Sequence, residues 1–363
     1  MEATVVIVGA GSAGLATAAC LTTHSIPYVL LERDDCIGSL WRKRSYDRVK
    51  LHITKQYCQL PHAPHPPETP TFMPKKHFIE YLEGYADRFG IRPLLKREVE
   101  SAWFLVVASG ENDAAVVPEM EGLEGFNGDV VHSSRYRSGS DYKGKSVLVV
   151  GSGNSGMEIA YDLSCSGAVP SIVVRSPANI VSKEIWALGN FLLGFLPISL
   201  VDDVVLFLCY LKYGNTSKYG IARPTKGPFH LLANSYPILD CGTFDKIKSG
   251  EIQVLPSIAR IEGNKVRFAN GKTHHFDAII FATGYRSAVK KWLKGADFLI
   301  GDDGMAKQKW PNHWKGVNGL YCAGLGRRGI YGGGVDAINI ANDINSILHP
   351  QGTNDTLYNN LHA

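Results

Sequence analysis

Two short glycine patterns carry the first chemistry that can be read from this chain. Residues 4–21, TVVIVGAGSAGLATAACL, and residues 146–163, SVLVVGSGNSGMEIAYDL, each run from a β-branched stretch through GxGxxG into a helix-like segment. The candidate binding residues are Gly9, Ala10, Gly11, Ser12, Ala13 and Gly14 in the first copy, and Gly151, Ser152, Gly153, Asn154, Ser155 and Gly156 in the second. In such a pattern the first glycine permits a tight strand-to-helix turn. The second lets the backbone approach a pyrophosphate, and the third lets the helix lie close on the strand. The helix N-terminus then faces the phosphate charge.

The two copies differ in the charge that ends their second strand. The first is succeeded by YVLLE, ending at Glu32, with Arg33 beside it. An acid there can accept the ribose hydroxyls of an adenosine, which suits FAD or NAD. The second is succeeded by SIVVR, ending at Arg175-Ser176. An acid at that place would repel a 2′-phosphate, whereas an arginine pairs with it, which suits NADP. Two dinucleotides of different type are therefore expected.

The elements that must hold these turns repeat as well. Each half has an apolar strand that runs into a small residue, Ser or Thr, and Gly: FLVVASGEN at 104–112 and AIIFATGYRS at 278–287. A third such strand, GLYCAGL at 319–325, precedes GRRGIYGGG, expected to be a loop that closes over a cofactor, with a helix over 335–348. Residues 75–89 place Phe78, Tyr81, Leu82, Tyr85 and Phe89 on one helical face. Residues 252–276 read as strands with turns at Gly263-Asn264 and Asn270-Gly271. The first half has no equivalent hairpin, because hardly any room for one exists between Glu98 and Phe104.

Composition bounds the rest. The chain has 363 residues with 38 Lys+Arg against 34 Asp+Glu, a balance that argues against a dedicated nucleic-acid binder. Seven cysteines, odd in number and without a CxxC pair, argue against a disulfide framework, a structural zinc site or a dithiol reductase. No metal site is expected. The N-terminus enters the first strand with no basic region or cleavage site, so no secretory signal is read. The most apolar stretch, Ile185 to Tyr213, is interrupted by Gly189, Gly194, Pro197 and Asp202-Asp203. It falls short of the ~20 residues a membrane helix needs. Packed helices are the expectation, with a membrane-surface patch as the alternative. The expected location is cytoplasmic, with association at the endoplasmic reticulum surface left open.

Between the two glycine patterns stands Phe126-x-Gly128-xxx-His132-xxx-Tyr136-Arg137-xxx-Asp141. With GAGSAG and GSGNSG it resembles the identifying motif of class B flavin-containing monooxygenases, whose Baeyer–Villiger branch usually carries Trp or Phe where Tyr136 stands. LWRKRSYDRVKLH, YCQLP, SKYGIARP, FDAIIFATGY and LYCAGLGRRG are similar to the plant YUCCA-type enzymes, from residue 3 to about 348.

The resemblance implies an α/β fold of two Rossmann-like domains, an FAD-binding domain of residues 1–135 and 281–363 and an NADPH-binding domain of residues 136–280 inserted in it. It implies oxidative decarboxylation of a 2-oxo acid, indole-3-pyruvate to the auxin indole-3-acetate, with O2, NADPH and FAD, through a flavin C(4a)-peroxide. Ser39, Leu40 and Trp41 would lie along FAD, His52 near the flavin, and His132 and Tyr136 in an interdomain linker near NADP. The reaction needs a cation for the substrate carboxylate, for which Arg327, Arg328, Lys218 and Arg223 are candidates. It also needs an aromatic slot, for which Phe191, Phe195, Phe207 and Phe229 are candidates. Family members carry roughly two dozen more residues where Glu100 to Phe104 stands. That difference keeps a flavin-poor pseudoenzyme open as an alternative, and the resemblance to animal relatives keeps open an N- or S-oxygenating monooxygenase.

Overall fold

In the computed structural model, the described residues are 5–97, 103–232 and 236–350. The compressed stretch at 98–104 therefore lies almost wholly outside the described residues. The chain forms two compact units. One gathers the described residues of 1–40, 55–113 and 286–363, and the other those of 41–54 and 114–285. Residues 41–54 and 114–135, which the sequence groups with the first half, thus pack with the second unit.

Each unit is built on a five-stranded parallel sheet. In the first, the strands lie in the order Leu320–Cys322, Phe104–Val107, Val5–Val8, Tyr28–Glu32 and Leu94–Leu95. In the second the order is Asp129–His132, Ala278–Phe281, Ser146–Val150, Val169–Val173 and Gln253–Leu255. The middle strands correspond one to one around the two glycine turns. The edge position beside the strand-end segment is filled from opposite directions, by a late strand in the first unit and by the strand leading into the second. Short Val/Ile/Leu runs form these strands because parallel sheets are covered on both faces. Ile7, Val106, Leu148 and Ile280 are accordingly fully buried.

The expected hairpin strands form a three-stranded antiparallel sheet, Ile258–Glu262, Lys265–Phe268 and Thr273–His275, with Gly263 and Gly271 at positive φ in its turns. Ile261, Val266 and Phe268 seal the second unit's core from that side. The helix predicted over 75–89 forms as Lys75–Arg88, burying Phe78, Leu82 and Tyr85.

The glycine cluster after residue 324 departs from expectation. It is a loop only as far as Arg328. Gly332, Gly333 and Gly334 lie inside the helix Gly329–Leu348 and are buried. The reason is packing against the helix Ser12–Thr23 and its surroundings: a Cβ on Gly333 would stand 3.2 Å from the Ala13 Cβ, and one on Gly334 3.3 Å from the Pro61 ring. Close approach, rather than loop freedom, favours glycine at Gly333 and Gly334.

The apolar stretch also resolves into helices, Lys183–Leu192 and Ile198–Tyr213. Among the described residues no helix is long and apolar enough to cross a membrane.

Candidate dinucleotide sites

The two glycine turns are near-copies in geometry. Gly9 has φ +110° and Gly151 φ +111°. A Cβ on Gly9 would lie 2.6 Å from the Ala108 carbonyl oxygen, and one on Gly151 2.5 Å from that of Ala282. The matching segments after Phe104–Val107 and Ala278–Phe281 therefore close beneath the first glycine of each turn. A Cβ on Gly14 would fall 1.8 Å from the Gly9 carbonyl oxygen, and one on Gly156 1.9 Å from that of Gly151. These glycines set the helix-on-strand distance. At Gly11 and Gly153, by contrast, a Cβ would meet no described atom within 4 Å. The middle glycine of each turn faces open space, as a backbone must if a ligand is to touch it. Both helices begin at these glycines without a side-chain cap, which leaves their first N–H groups to a ligand or to water.

The acid after the first turn is held firmly. Glu32, buried, accepts from the Ala10 N–H at 2.7 Å through Oε2, and from the Asp34 N–H at 2.9 Å and the Ser39 hydroxyl at 3.4 Å through Oε1. A carboxylate has about four acceptor positions. These bonds leave one for a ribose hydroxyl, and a second requires Ser39 to turn away. Arg33 is engaged by Asp113 at 2.8 Å, which raises its pKa. Two buried polar atoms near this turn, Ser109 Oγ and Glu111 Oε1, have no hydrogen-bond partner among the described residues, while buried Asp336 Oδ1 and His313 Nε2 face each other at 3.0 Å. Ser109 and Glu111 come just after Ala108, and Asp336 holds the Gly324 N–H at 2.9 Å, beside Ala13. Orphaned buried polar groups at a glycine turn fit a polar dinucleotide seated there.

The second turn differs. Asn154 donates to the Pro237 carbonyl and accepts from the Leu239 N–H, so its amide ties the turn to the strand Ile238–Asp240. Arg175 and Ser176 are exposed at the end of their strand.

The comparisons with known proteins agree with this geometry. Residues 95–290 match the flavin-binding monooxygenase-like family, and residues 3–185 match the pyridine nucleotide-disulphide oxidoreductase family. A probable indole-3-pyruvate monooxygenase, YUCCA10 of Arabidopsis thaliana, is 48% identical over 96% of this chain and 98% of its own. The indole-3-pyruvate monooxygenase YUCCA1 of Oryza sativa subsp. japonica is 44% identical over 93% of this chain and 90% of its own. The chain belongs to the YUCCA-type flavin-binding monooxygenases. In fold it is similar to the crystal structure of OTEMO in complex with FAD and NADP, with a TM-score of 0.73, 16% identity, and coverage of 96% of this chain and 85% of that one. The alignment with the Arabidopsis YUCCA relative runs over 377 positions, more than the 363 residues present here, so that relative carries residues this chain lacks.

The flavin-containing monooxygenase motif from Phe126 to Asp141 lies in the second unit. Phe126 packs on its core, and a Cβ on Gly128 would lie 2.2 Å from the Asp277 carbonyl oxygen. Buried His132 ends the strand Asp129–His132. Its Nδ1 accepts from the Ser134 N–H at 3.2 Å, so Nε2 carries the proton and donates to the Gly284 carbonyl at 3.1 Å. Burial lowers its pKa, against a smaller opposing effect of the Gly284 carbonyl, and the ring is neutral. Tyr136 donates to Asp162 at 2.7 Å, which also accepts the Gly139 N–H. In this structure the motif ties together segments of one unit.

His52 lies in the second unit, with Nε2 3.1 Å from Glu158 Oε1. Tyr46 donates to Glu158 Oε2 at 2.6 Å. Burial alone would raise the Glu158 pKa, but the bonds from His52 and Tyr46 together hold it below the usual carboxylate value. Tyr46 is pushed up, chiefly by burial. Glu158 was not singled out from sequence, though it stands four residues into the second turn's helix, where an acid on a buried helical face demands a partner. Of the three, Glu158 borders a cavity of about 370 Å³, which is also lined by Arg48, Lys50, Lys183, Asp240 and Cys241.

The candidate carboxylate-binding cations are divided between the units, Lys218 and Arg223 in the second and Arg327 and Arg328 in the first. Arg223 donates to the Gly214 carbonyl at 2.8 Å, closing the end of the helix Ile198–Tyr213. Arg327 pairs with Asp303, and Arg328 stacks 4.2 Å over the Trp310 ring. Lys218 is exposed on the turn Thr216–Tyr219. The aromatic slot is likewise not assembled from the expected residues. Phe229 is buried in a stack with Trp186, centroids 4.4 Å apart, whereas Phe191, Phe195 and Phe207 are exposed. Trp41 falls in the second unit, while Ser39 and Leu40 fall in the first.

Proposed function

We propose that this protein is an FAD- and NADPH-dependent monooxygenase that converts indole-3-pyruvate, O2, NADPH and a proton into indole-3-acetate, CO2, NADP+ and water. The observation that carries the two-cofactor reading is the pair of matching glycine turns, each open at its middle glycine, one succeeded by buried Glu32 and the other by exposed Arg175. The substrate rests on the relatives, which are named for it at 44–48% identity over most of the chain.

Bound FAD supplies the path by which the two electrons of NADPH activate O2. The protein's own part is to bind and orient. The Gly9–Gly14 turn and the first N–H groups of the helix Ser12–Thr23 would hold the FAD pyrophosphate, and Glu32 would accept a ribose hydroxyl. The Gly151–Gly156 turn would hold the NADPH pyrophosphate, and Arg175 the 2′-phosphate. No side-chain nucleophile is needed, and none is assigned.

The test is direct. The purified protein should show a flavin spectrum after incubation with FAD, and NADPH oxidation should yield CO2 and indole-3-acetate in equal amounts when indole-3-pyruvate is present. An N- or S-oxide from amine or sulfide substrates, with no indole-3-acetate, would assign the alternative oxygenation. A protein that takes up no FAD would refute the reading.

A further inference from the structure

Glu111 stands on the segment that closes beneath the first glycine turn, three residues after Ala108, whose carbonyl oxygen blocks any side chain at Gly9. Its Oε1 is sealed from solvent and has no hydrogen-bond partner among the described residues. Its carboxyl faces the Arg327 main-chain N–H. Arg327 sits at φ +55°, a conformation rare for a non-glycine residue, and its guanidinium is committed to Asp303. Glu111 therefore joins two segments that both border the turn: the one after Phe104–Val107, and the Gly324–Arg328 loop that touches Ala13.

The carboxyl is largely removed from water, between the stronger influence of Arg327 and the weaker one of Asp336. Asp336, fully buried, holds the Gly324 N–H through Oδ2, while Oδ1 makes no aligned hydrogen bond. His313, also fully buried, lies 3.0 Å from Asp336 Oδ1 without a hydrogen-bonding alignment to it. Arg327 is the cation facing Glu111, and it is shared with Asp303.

We propose that Glu111 is a flavin-site residue: in its neutral, protonated form it donates from Oε1 to the seated dinucleotide while its other contact fixes the Arg327 turn against the site. This rests on the flavin reading above. An ionised Glu111 would face both Asp336 and the two phosphates of FAD, whereas a protonated one offers the donor that phosphate or ribityl oxygens require. Burial, the largest influence, already pushes the Glu111 carboxyl up to about 7, with Arg327 opposing and Asp336 adding to the rise. An anionic ligand raises it further, so FAD binding takes up a proton. Affinity is then full below pH 7 and falls as pH rises through 7, until the pKa of the complex is reached.

The experiment titrates apoprotein with FAD by flavin fluorescence at pH 6.5 and 8.5, for wild type, Glu111→Gln and Glu111→Ala, with a melting curve of each apoprotein to register folding. Wild type should bind about tenfold more weakly at the higher pH, the effect of about one pKa unit of coupling. Glu111→Gln, a permanent neutral donor, should bind as wild type does at pH 6.5 and show no pH dependence. Glu111→Ala should bind about tenfold more weakly than that at both pH values, as for a lost hydrogen bond to a charged group. A Glu111→Gln protein that keeps the wild-type pH slope, or a folded Glu111→Ala protein with wild-type affinity, overturns the proposal while leaving the flavin reading intact. Wild type that binds no FAD at either pH overturns both.

Discussion

Gly11→Ala and Gly14→Ala add the same methyl group three residues apart, and the structure assigns them opposite consequences. At Gly14 the new Cβ would fall 1.8 Å from a backbone carbonyl oxygen, so strand and helix must separate. Overpacking of that kind typically costs 1–3 kcal/mol, and here it meets backbone that cannot rotate away, so about 3 kcal/mol is expected. At about 2–4 °C per kcal/mol, the apoprotein should melt about 6–12 °C lower. At Gly11 the backbone is extended, with φ −82° and ψ −172°, and the Cβ enters open space. The gain from a less flexible unfolded chain and the small loss at a helix N-cap nearly cancel, so apoprotein stability should stay within about 0.5 kcal/mol of wild type. If that open space is where a pyrophosphate lies against the backbone, the methyl group instead costs about 1–3 kcal/mol of binding, or about 5- to 150-fold in the FAD Kd. Melting of the apoproteins and fluorescence titration with FAD measure both quantities. A Gly11→Ala protein that melts like Gly14→Ala, or that binds FAD as wild type does, would refute the assignment of the middle glycine to the ligand.

Gly153→Ala should repeat the Gly11→Ala pattern for NADPH while leaving the FAD Kd unchanged, as read by paired titrations of the two nucleotides. Arg175→Ala should weaken NADPH more than NADH by about 1–2 kcal/mol, toward the low end for a charged hydrogen bond because the guanidinium is exposed; equal losses would remove Arg175 from the 2′-phosphate. Glu158→Gln should destabilise the folded protein by about 1–3 kcal/mol at pH 7, and its deficit should shrink as pH falls below about 4.5, where wild type loses the stability of a carboxylate held below its ordinary value. The buried, neutral His132 makes the unfolded state the better proton acceptor, so wild-type stability should decline as pH falls below about 6.5, and the decline between pH 7 and 5.5 should be smaller in His132→Gln by melting temperature.

Much of this was legible because glycine constraints are local. The turn around Gly9 must clear Ala108, and the one around Gly151 must clear Ala282, and the two matching strand-end phrases announce those contacts from sequence. Hairpin turns at Gly263 and Gly271 were equally local. The run Gly332–Gly334 misled because glycine has two uses. It frees a loop, but it also thins a helix, and only the arrival of Ala13 and Pro61 from more than 250 residues away decides between them. The cations were unreadable for a related reason. Arg223 is consumed by a helix end, Arg327 by Asp303 and Arg328 by Trp310, and an arginine's side chain is long enough that sequence neighbours do not reveal its partner. Glu158 with His52 and Tyr46 spans more than 100 residues, so no spacing rule could have joined them.

The contrast between the two turns lies less in their geometry, which is nearly shared, than in how each discriminating side chain is held. Glu32 is buried and fixed by two backbone N–H groups before any ligand arrives, so little conformational entropy remains to be lost on binding, and its hydrogen bond to a ribose would form out of reach of salt. Arg175 is exposed, keeps its rotamers until a phosphate comes, and attracts that phosphate through water. The first arrangement suits a cofactor that stays, and the second a co-substrate that must leave oxidised after each turnover. The distinction is measurable as ionic strength. Between about 0.05 and 0.5 M salt the Debye length shortens from about 14 to about 4 Å, so NADPH affinity should fall several-fold while that of FAD, whose acid contact is buried, changes less. Arg175→Ala should flatten the NADPH salt dependence. If FAD proves the more salt-sensitive of the two, buried Glu32 is not what holds it.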